Sequence, residues 1–324
     1  MKEIRELIDY LDLGVIIEEP SKVEGGLLHQ MYCVKTSESS YAIKVINPNI
    51  IKRPAAYEHY VTSEAFCRKA FKKGLNAVAA LEKNNEVIHK INNDYFLVYP
   101  WQHGIKGHHL TKTLSSNHQV GSFLGQLHEI KEEFEKTSYE EMSIDWQSYL
   151  DLSRHTLWFK MYKDHLEDFK HIERQMNNSM KLFSPDLVSH RDLDPKNTLW
   201  HNDELIVIDW ESAGPVNSMV ELLEVALYWS NNGLEKDLFN QVLNAYQTYR
   251  PISNDFSKTL YCVFHGKLGW LEYNIKRSLA IESLNEEDQL LGTKQVIATI
   301  KDIFTYYGMI TTLEQVIKET TWQQ

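Results

Sequence analysis

The sequence predicts an α+β fold in which a small antiparallel sheet with one helix precedes a larger, mainly helical region. Three observations predict it. From Val15 to Pro100 the apolar pattern is mostly strand-like and is broken by one helical stretch. Beyond residue 105 the period lengthens to that of helices, and inside that region one island, residues 187–210, returns to strand-like runs. A chain of 324 residues, 43% hydrophobic and 24% charged, can bury a real core and divide into two lobes.

The first residues, MKEIRELIDYL, form a charged amphipathic pattern without the apolar core of a signal peptide, and no later stretch reaches ~18 apolar residues. A cytoplasmic protein is expected. Strands are expected over VIIEE, LLHQMYCVKT, YAIKVI, EVIHKI and YFLVYP, with the turns SESS and NND between neighbours. The helix among them spans Tyr57 to Lys73, where Tyr60, Ala65, Phe66, Ala70 and Phe71 form a stripe and Gly74 can cap the end. The first lobe is read as residues 1–100 and the second as 104–324, with the hinge at about 97–103 and YPWQHG (99–104) as the crossing segment.

In the second lobe helices are expected over Asn117–Glu135, Trp146–Asp164, Leu166–Phe183, Val220–Ser230, Glu235–Tyr249, Asp255–Ser278 and Asp288–Tyr307. The island LVSHRDLDPKNTLWHNDELIVIDW reads as a hairpin, TLWH and LIVIDW flanking NDE, with polar residues at both ends. The cleft between lobes is the expected site.

The formal net charge of −11 argues against a broad nucleic-acid or anionic-membrane surface, and it suits a small cationic partner. Acidity also serves dispersal alone, so charge decides little by itself. Cys33, Cys67 and Cys262 lack close pairing or metal-type spacing and read as buried thiols in a reducing compartment. A monomer or homodimer is expected.

His190, Asp192 and Asn197 lie in the turn-rich HRDLDPKN, and Asp209 ends the next apolar run, so four polar side chains converge if the hairpin forms. Phosphoryl transfer needs charge neutralisation and a group that accepts the proton of the attacking hydroxyl. Asn197 and Asp209 supply oxygens of the kind Mg²⁺ prefers without closing a cage, which leaves Asp192 to orient the hydroxyl. HRDLDPKN followed by VIDWE resembles the catalytic loop and metal-binding aspartate of the aminoglycoside phosphotransferase and choline kinase superfamily, relatives of protein kinases. The resemblance implies a bilobal protein-kinase-like fold and transfer of the γ-phosphoryl group of ATP or GTP to a small hydroxylated substrate. It also implies Asp192 as catalytic base, Asn197 and Asp209 as Mg²⁺ ligands, and His190 as structural support for the loop.

YAIKVIN places Lys44 on a strand face shared with Ala42 and Ile46, and a buried lysine demands an anionic partner. The strand resembles the family's VAIK-type strand, so nucleotide phosphate is one partner and a helix glutamate the other. Glu64 fits the helix pattern best and Glu58 is its rival. Gly25 and Gly26 stand where the family's glycine-rich loop covers the phosphates, and YFLVYPWQHG resembles the hinge, with backbone from Val98 to Trp101 facing the purine. The chain lacks the Walker-type glycine loop.

The acceptor side is the least determined. Glu211, Trp270, Glu272 and Tyr273 are candidate substrate contacts, an aromatic and acidic wall able to hold an amine, although Trp270 and Tyr273 read more readily as helix core and Glu272 as a solvated carboxylate. Two departures from the family stand out: Glu221 replaces the usual aspartate after VIDWE, and Asp194 is a carboxylate that would repel phosphate unless Arg191 or Lys196 pairs with it. A protein kinase is an alternative, but Asp209 is followed by Trp210 and Glu211 and no Asp-Phe-Gly is present. A nucleotide-binding pseudokinase acting as an interaction module is a third reading, and it has no physical need for a base.

Overall fold

The amino-terminal pattern becomes helix α1 (Lys2–Leu11), whose Ile4, Leu7 and Ile8 recur on one face and are buried. Burying each such side chain contributes roughly 1.5–3 kcal/mol. The computed structural model describes residues 1–23, 29–135, 139–283 and 285–319, so Gly25 and Gly26 lie outside the described residues.

Strands β1 (Ser21–Val23), β2 (Gln30–Lys35) and β3 (Ser40–Val45) are followed by the short helix α2 (Pro48–Ile51), the long helix α3 (Ala56–Lys72), and strands β4 (His89–Ile91) and β5 (Asp94–Pro100). They form an antiparallel sheet in the order β1-β2-β3-β5-β4, with Ile43 opposite Val98 and Lys44 opposite Leu97. Alternation sends Tyr41, Ile43, Phe96 and Val98 against Ile4, Leu7 and Ile8 of α1. The opposite face packs Ile46, Leu97 and Tyr99 with Tyr60 of α3 and with Val78 and Ala80. Lys44 belongs to that second face, between Ala42 and Ile46. VIIEE is not a strand: Ile16 makes a single bridge to Thr36, and the edge strand starts at Ser21.

Helix α3 matches the expected span, but its buried stripe is Tyr60, Ser63, Glu64, Phe66, Cys67 and Ala70, while Ala65 and Phe71 are exposed. Its end is a Schellman cap. Gly74 takes φ 89°, its N–H donates to the Phe71 carbonyl, and the Leu75 N–H donates to the Ala70 carbonyl. A positive φ at that position is the reason glycine stands there. Cys33 is half-buried and not buried as expected, whereas Cys67 and Cys262 are buried.

The chain continues through β6 (Ile105–Lys106), α4 (Leu114–His128), α5 (Trp146–Leu152), α6 (Phe159–Asp164), α7 (Leu166–Met180), β7 (Leu187–Ser189), β8 (Thr198–His201), β9 (Glu204–Val207) and β10 (Gly214–Val216). Helices α8 (Ser218–Tyr228), α9 (Lys236–Gln247), α10 (Phe264–Ser278) and α11 (Glu286–Glu319) complete it. By compactness, Met1–Lys131 groups with Val188–Gly214, and Glu132–Leu187 groups with Pro215–Gln324. The first unit therefore holds the sheet together with the HRDLDPKN segment and Asp209. In it the expected hairpin forms, β8 pairing β6 on one side and β9 on the other. Its loop is Asn202-Asp203, with φ of 50° and 62°, the left-handed pair that a twisted two-residue hairpin requires.

The second unit differs from expectation at three helices. The span Trp146–Asp164 is two helices, α5 and α6, because Ser153 ends the first and turns its hydroxyl to the Leu150 carbonyl. Trp158, fully buried, then donates its indole N–H to Ser278 Oγ at 2.9 Å. The helix expected from Asp255 starts only at Phe264, after a 3₁₀ turn over Phe256–Thr259. Helix α11 runs on past Tyr307 to Glu319. Among the described residues no helix is long and apolar enough to cross a membrane.

Candidate active site

The expected loop is organised around His190, which is fully buried. Its Nδ1 accepts the Asp192 N–H at 3.3 Å, so the ring proton lies on Nε2, and that atom donates to the Ile208 carbonyl at 3.1 Å. The N–H of Ile208 donates to the Asn197 carbonyl at 3.0 Å. Both polar groups of one residue thus tie the loop to the end of β9. His128 lies beside it, its Nε2 3.2 Å from Ser189 Oγ.

Two further features fix Asp209. Residues 76–78 bracket β9, with Val207 N–H donating to Asn76 O at 2.8 Å and Val78 N–H to Val207 O at 3.1 Å. Trp210 is buried, its ring edge-on to Phe66 of α3 and His190 and tilted against Phe123 of α4. Between these supports Asp209 takes φ 61° and ψ 63°, a left-handed conformation that costs a non-glycine residue about 1–2 kcal/mol. Arg191, beside His190, also has a positive φ of 64°. Strain at two neighbouring turns marks a segment held by its surroundings.

Asp194 is engaged within its own turn. It caps the 3₁₀ turn Pro195–Asn197 by accepting the Lys196 N–H at 2.7 Å. The side chain of Lys196 instead reaches Asp192, with Nζ 3.3 Å from Oδ1 and 3.2 Å from Oδ2. Asn197 Nδ2 donates to the Asp192 carbonyl at 2.9 Å and to its Oδ2 at 2.8 Å. Burial pushes the Asp192 carboxyl above its ordinary range, and Lys196 offsets part of that. Gly107 was not legible as a site residue, yet a Cβ there would sit 2.6 Å from the Pro195 carbonyl oxygen, so only glycine lets the preceding segment approach this turn.

Lys44 is buried, and its Nζ lies 2.6 Å from Asp209 Oδ1 and 2.9 Å from Glu211 Oε2. Desolvation works against its charge, but the two carboxylates outweigh it and hold the ammonium above its ordinary range. Desolvation likewise opposes ionisation of Glu211, and Lys44 outweighs it, holding the carboxyl well below the usual range. Glu211, expected on the acceptor side, is therefore placed with Lys44. His29, unnoticed in the sequence, puts Nε2 3.2 Å from Glu211 Oε2.

Glu64 does not pair with Lys44 in this structure. Its Oε2 accepts the Ala80 N–H at 2.9 Å and its Oε1 the Tyr99 hydroxyl at 2.6 Å, so both oxygens are engaged. Glu58 is exposed. At the expected hinge, the Val98 carbonyl accepts the Leu81 N–H at 2.7 Å, and the Trp101 N–H donates to Ser40 O at 3.0 Å. These two groups are thus used by the first unit itself. In the second unit Glu272 accepts the Tyr149 hydroxyl at 2.8 Å and lies 3.2 Å from Lys276 Nζ, so its charge is already partnered. Trp270 and Tyr273 lie against each other, 5.5 Å apart, with Arg277 over the Tyr273 ring. The sequence-predicted wall is thus a half-buried helix face.

The donor set suits a hard cation. With its nitrogen turned to Asp192, Asn197 leaves Oδ1 without a hydrogen bond among the described residues, and the Asp209 side chain is 37% exposed. An amide oxygen and a carboxylate leave room for phosphate and water ligands. Among the described residues no group of three His, Cys, Asp or Glu side chains forms a ready metal cage.

A model of the phosphotransferase enzyme family matches residues 20–252. No curated protein matches the chain. Among solved structures, spectinomycin phosphotransferase is similar with a TM-score of 0.69 at 15% identity, over 93% of this chain and 98% of that one. Amicoumacin kinase gives 0.63 at 12%, over 92% and 93%, and a choline kinase of Streptococcus pneumoniae gives 0.59 at 16%, over 93% and 98%. At such identities the likeness is one of fold, α+β and protein-kinase-like. The family match over most of the chain carries more: the chain belongs to the phosphotransferase enzyme family and is a phosphotransferase with a hydroxyl acceptor.

Proposed function

We propose that this phosphotransferase moves the γ-phosphoryl group of ATP or GTP onto a hydroxyl of a small, cationic substrate such as an aminoglycoside or amino-alcohol. Asp192 is the base, Asn197 and Asp209 the metal ligands, Lys44 the phosphate-binding lysine and His190 the support of the loop. The observation that carries the reading is the joining of these groups through Ile208, whose N–H and carbonyl bond Asn197 and His190. A lysine buried against Asp209 supplies positive charge beside them.

Mg²⁺ held by Asn197 and Asp209 would neutralise charge on the transferring phosphate. Asp192 accepts the hydroxyl proton, and Asn197 Nδ2 fixes the carboxylate that receives it. Support for nucleotide and divalent cation comes also from the neighbours: the spectinomycin enzyme was solved with ADP and spectinomycin, and the amicoumacin kinase with AMP-PNP and Ca²⁺. The cationic acceptor rests on the net charge of −11. The location that fits such metabolite chemistry is the cytoplasm.

The test is release of ADP or GDP with Mg²⁺ and a panel of aminoglycosides, amino-alcohols, choline and sugars. Turnover with one acceptor, lost in Asp192→Ala while nucleotide still binds, supports the reading. Phosphorylation of a protein and of no small molecule would replace it with the protein-kinase reading, and nucleotide binding without any turnover with the pseudokinase one.

A further inference from the structure

We infer that Glu211, oriented by His29, is the positioning residue of Lys44, in place of a glutamate on helix α3. The inference rests on the nucleotide-binding reading above. Lys44 must keep its charge while buried, and it must do so when a metal competes for Asp209. Glu64 does not take that part in this structure: it is held by the Ala80 N–H and the Tyr99 hydroxyl and makes no ion pair with Lys44. Glu211 can: its Oε2 lies 2.9 Å from Lys44 Nζ, on the same 3₁₀ turn that follows Asp209.

Glu211 is itself held from several directions. His29 Nδ1 accepts the Asn47 N–H at 3.0 Å, so its proton lies on Nε2, which is directed at Glu211 Oε2 across 3.2 Å and lies 3.1 Å from the Tyr60 hydroxyl. His59 Nε2 lies 2.7 Å from the Glu211 carbonyl oxygen and ties the backbone of the turn to α3. Helix α3 therefore acts on Lys44 through His59 and Tyr60, at the backbone of Glu211 and at His29, and not through a carboxylate of its own. A lysine so held presents its ammonium to phosphate without first finding a rotamer.

The experiment is calorimetric titration with ADP, first in EDTA and then with Mg²⁺, on the wild type, Lys44→Met, Glu211→Gln and the double variant. Glu211→Gln should weaken metal-free ADP about tenfold or more, the loss of one charged hydrogen bond. The double variant should bind no more weakly than Lys44→Met alone, since the two residues act as a unit. His29→Gln should weaken binding less, and not at all in the Glu211→Gln background. Loss confined to the Mg²⁺ titration would make Glu211 a metal ligand and overturn the inference, as would additive losses or a Glu64→Gln loss equal to that of Glu211→Gln. A wild type that binds no nucleotide in either titration would instead sink the nucleotide-binding reading itself.

Discussion

His190 donates its Nε2 proton to the carbonyl of Ile208 across 3.1 Å, and through this bond the loop bearing Asp192 is held to the strand end bearing Asp209. Substituting His190 with alanine leaves the Ile208 acceptor without that donor, at a cost of about 1–3 kcal/mol. Urea denaturation should show the loss, and turnover should fall with it because the loop is no longer held. An unchanged midpoint would refute the role.

Trp210 stands under the same junction, touching Phe66, Phe123 and His190. Trp210→Ala should destabilise by about 3–5 kcal/mol and Trp210→Phe by markedly less. Chemical unfolding of both variants checks the order.

The pH dependence of turnover follows from Asp192. Burial raises its carboxyl and Lys196 draws it down in part. The proposed base must be ionised, so activity falls as pH drops through its pKa, starting above the value of about 3.9 expected of a free aspartate. Lys196→Met removes a partner that lowers the pKa, so the acid limb should move to higher pH. A limb that stays or moves down in that variant contradicts the assignment.

Glu64 gives a stability test with the same sign. Burial raises its carboxyl in the folded chain. Its contribution is fully present below the ordinary carboxylate range and is lost as pH rises through the folded value, because the unfolded chain ionises first. The difference in unfolding free energy between wild type and Glu64→Gln should shrink with rising pH, by up to about 1.4 kcal/mol per pH unit over that interval. A difference that grows with pH would exclude a raised Glu64.

The sequence by itself determined the architecture and the loop chemistry. The change of period near residue 105 separates sheet from helices, the Asn202-Asp203 turn specifies a hairpin, and HRDLDPKN with Asp209 is a local pattern whose members are fixed by spacing along a few strands and turns. VIIEE misled because a short apolar run does not guarantee a ladder: Ile16 found one bridge to Thr36. Only the tertiary structure decided which carboxylate answers Lys44. Glu64, Glu58 and Glu211 carry the same group, and the one that reaches the lysine lies 167 residues away in the chain. That choice depends on where packing holds each carboxylate, Glu64 against the Ala80 N–H and Tyr99, and on a buried Trp210 that brings the turn after Asp209 against α3. His29 and Gly107 escaped notice for the same reason, since hydrogen-bond saturation and close approach are properties of packed neighbours and leave no periodic trace in the chain.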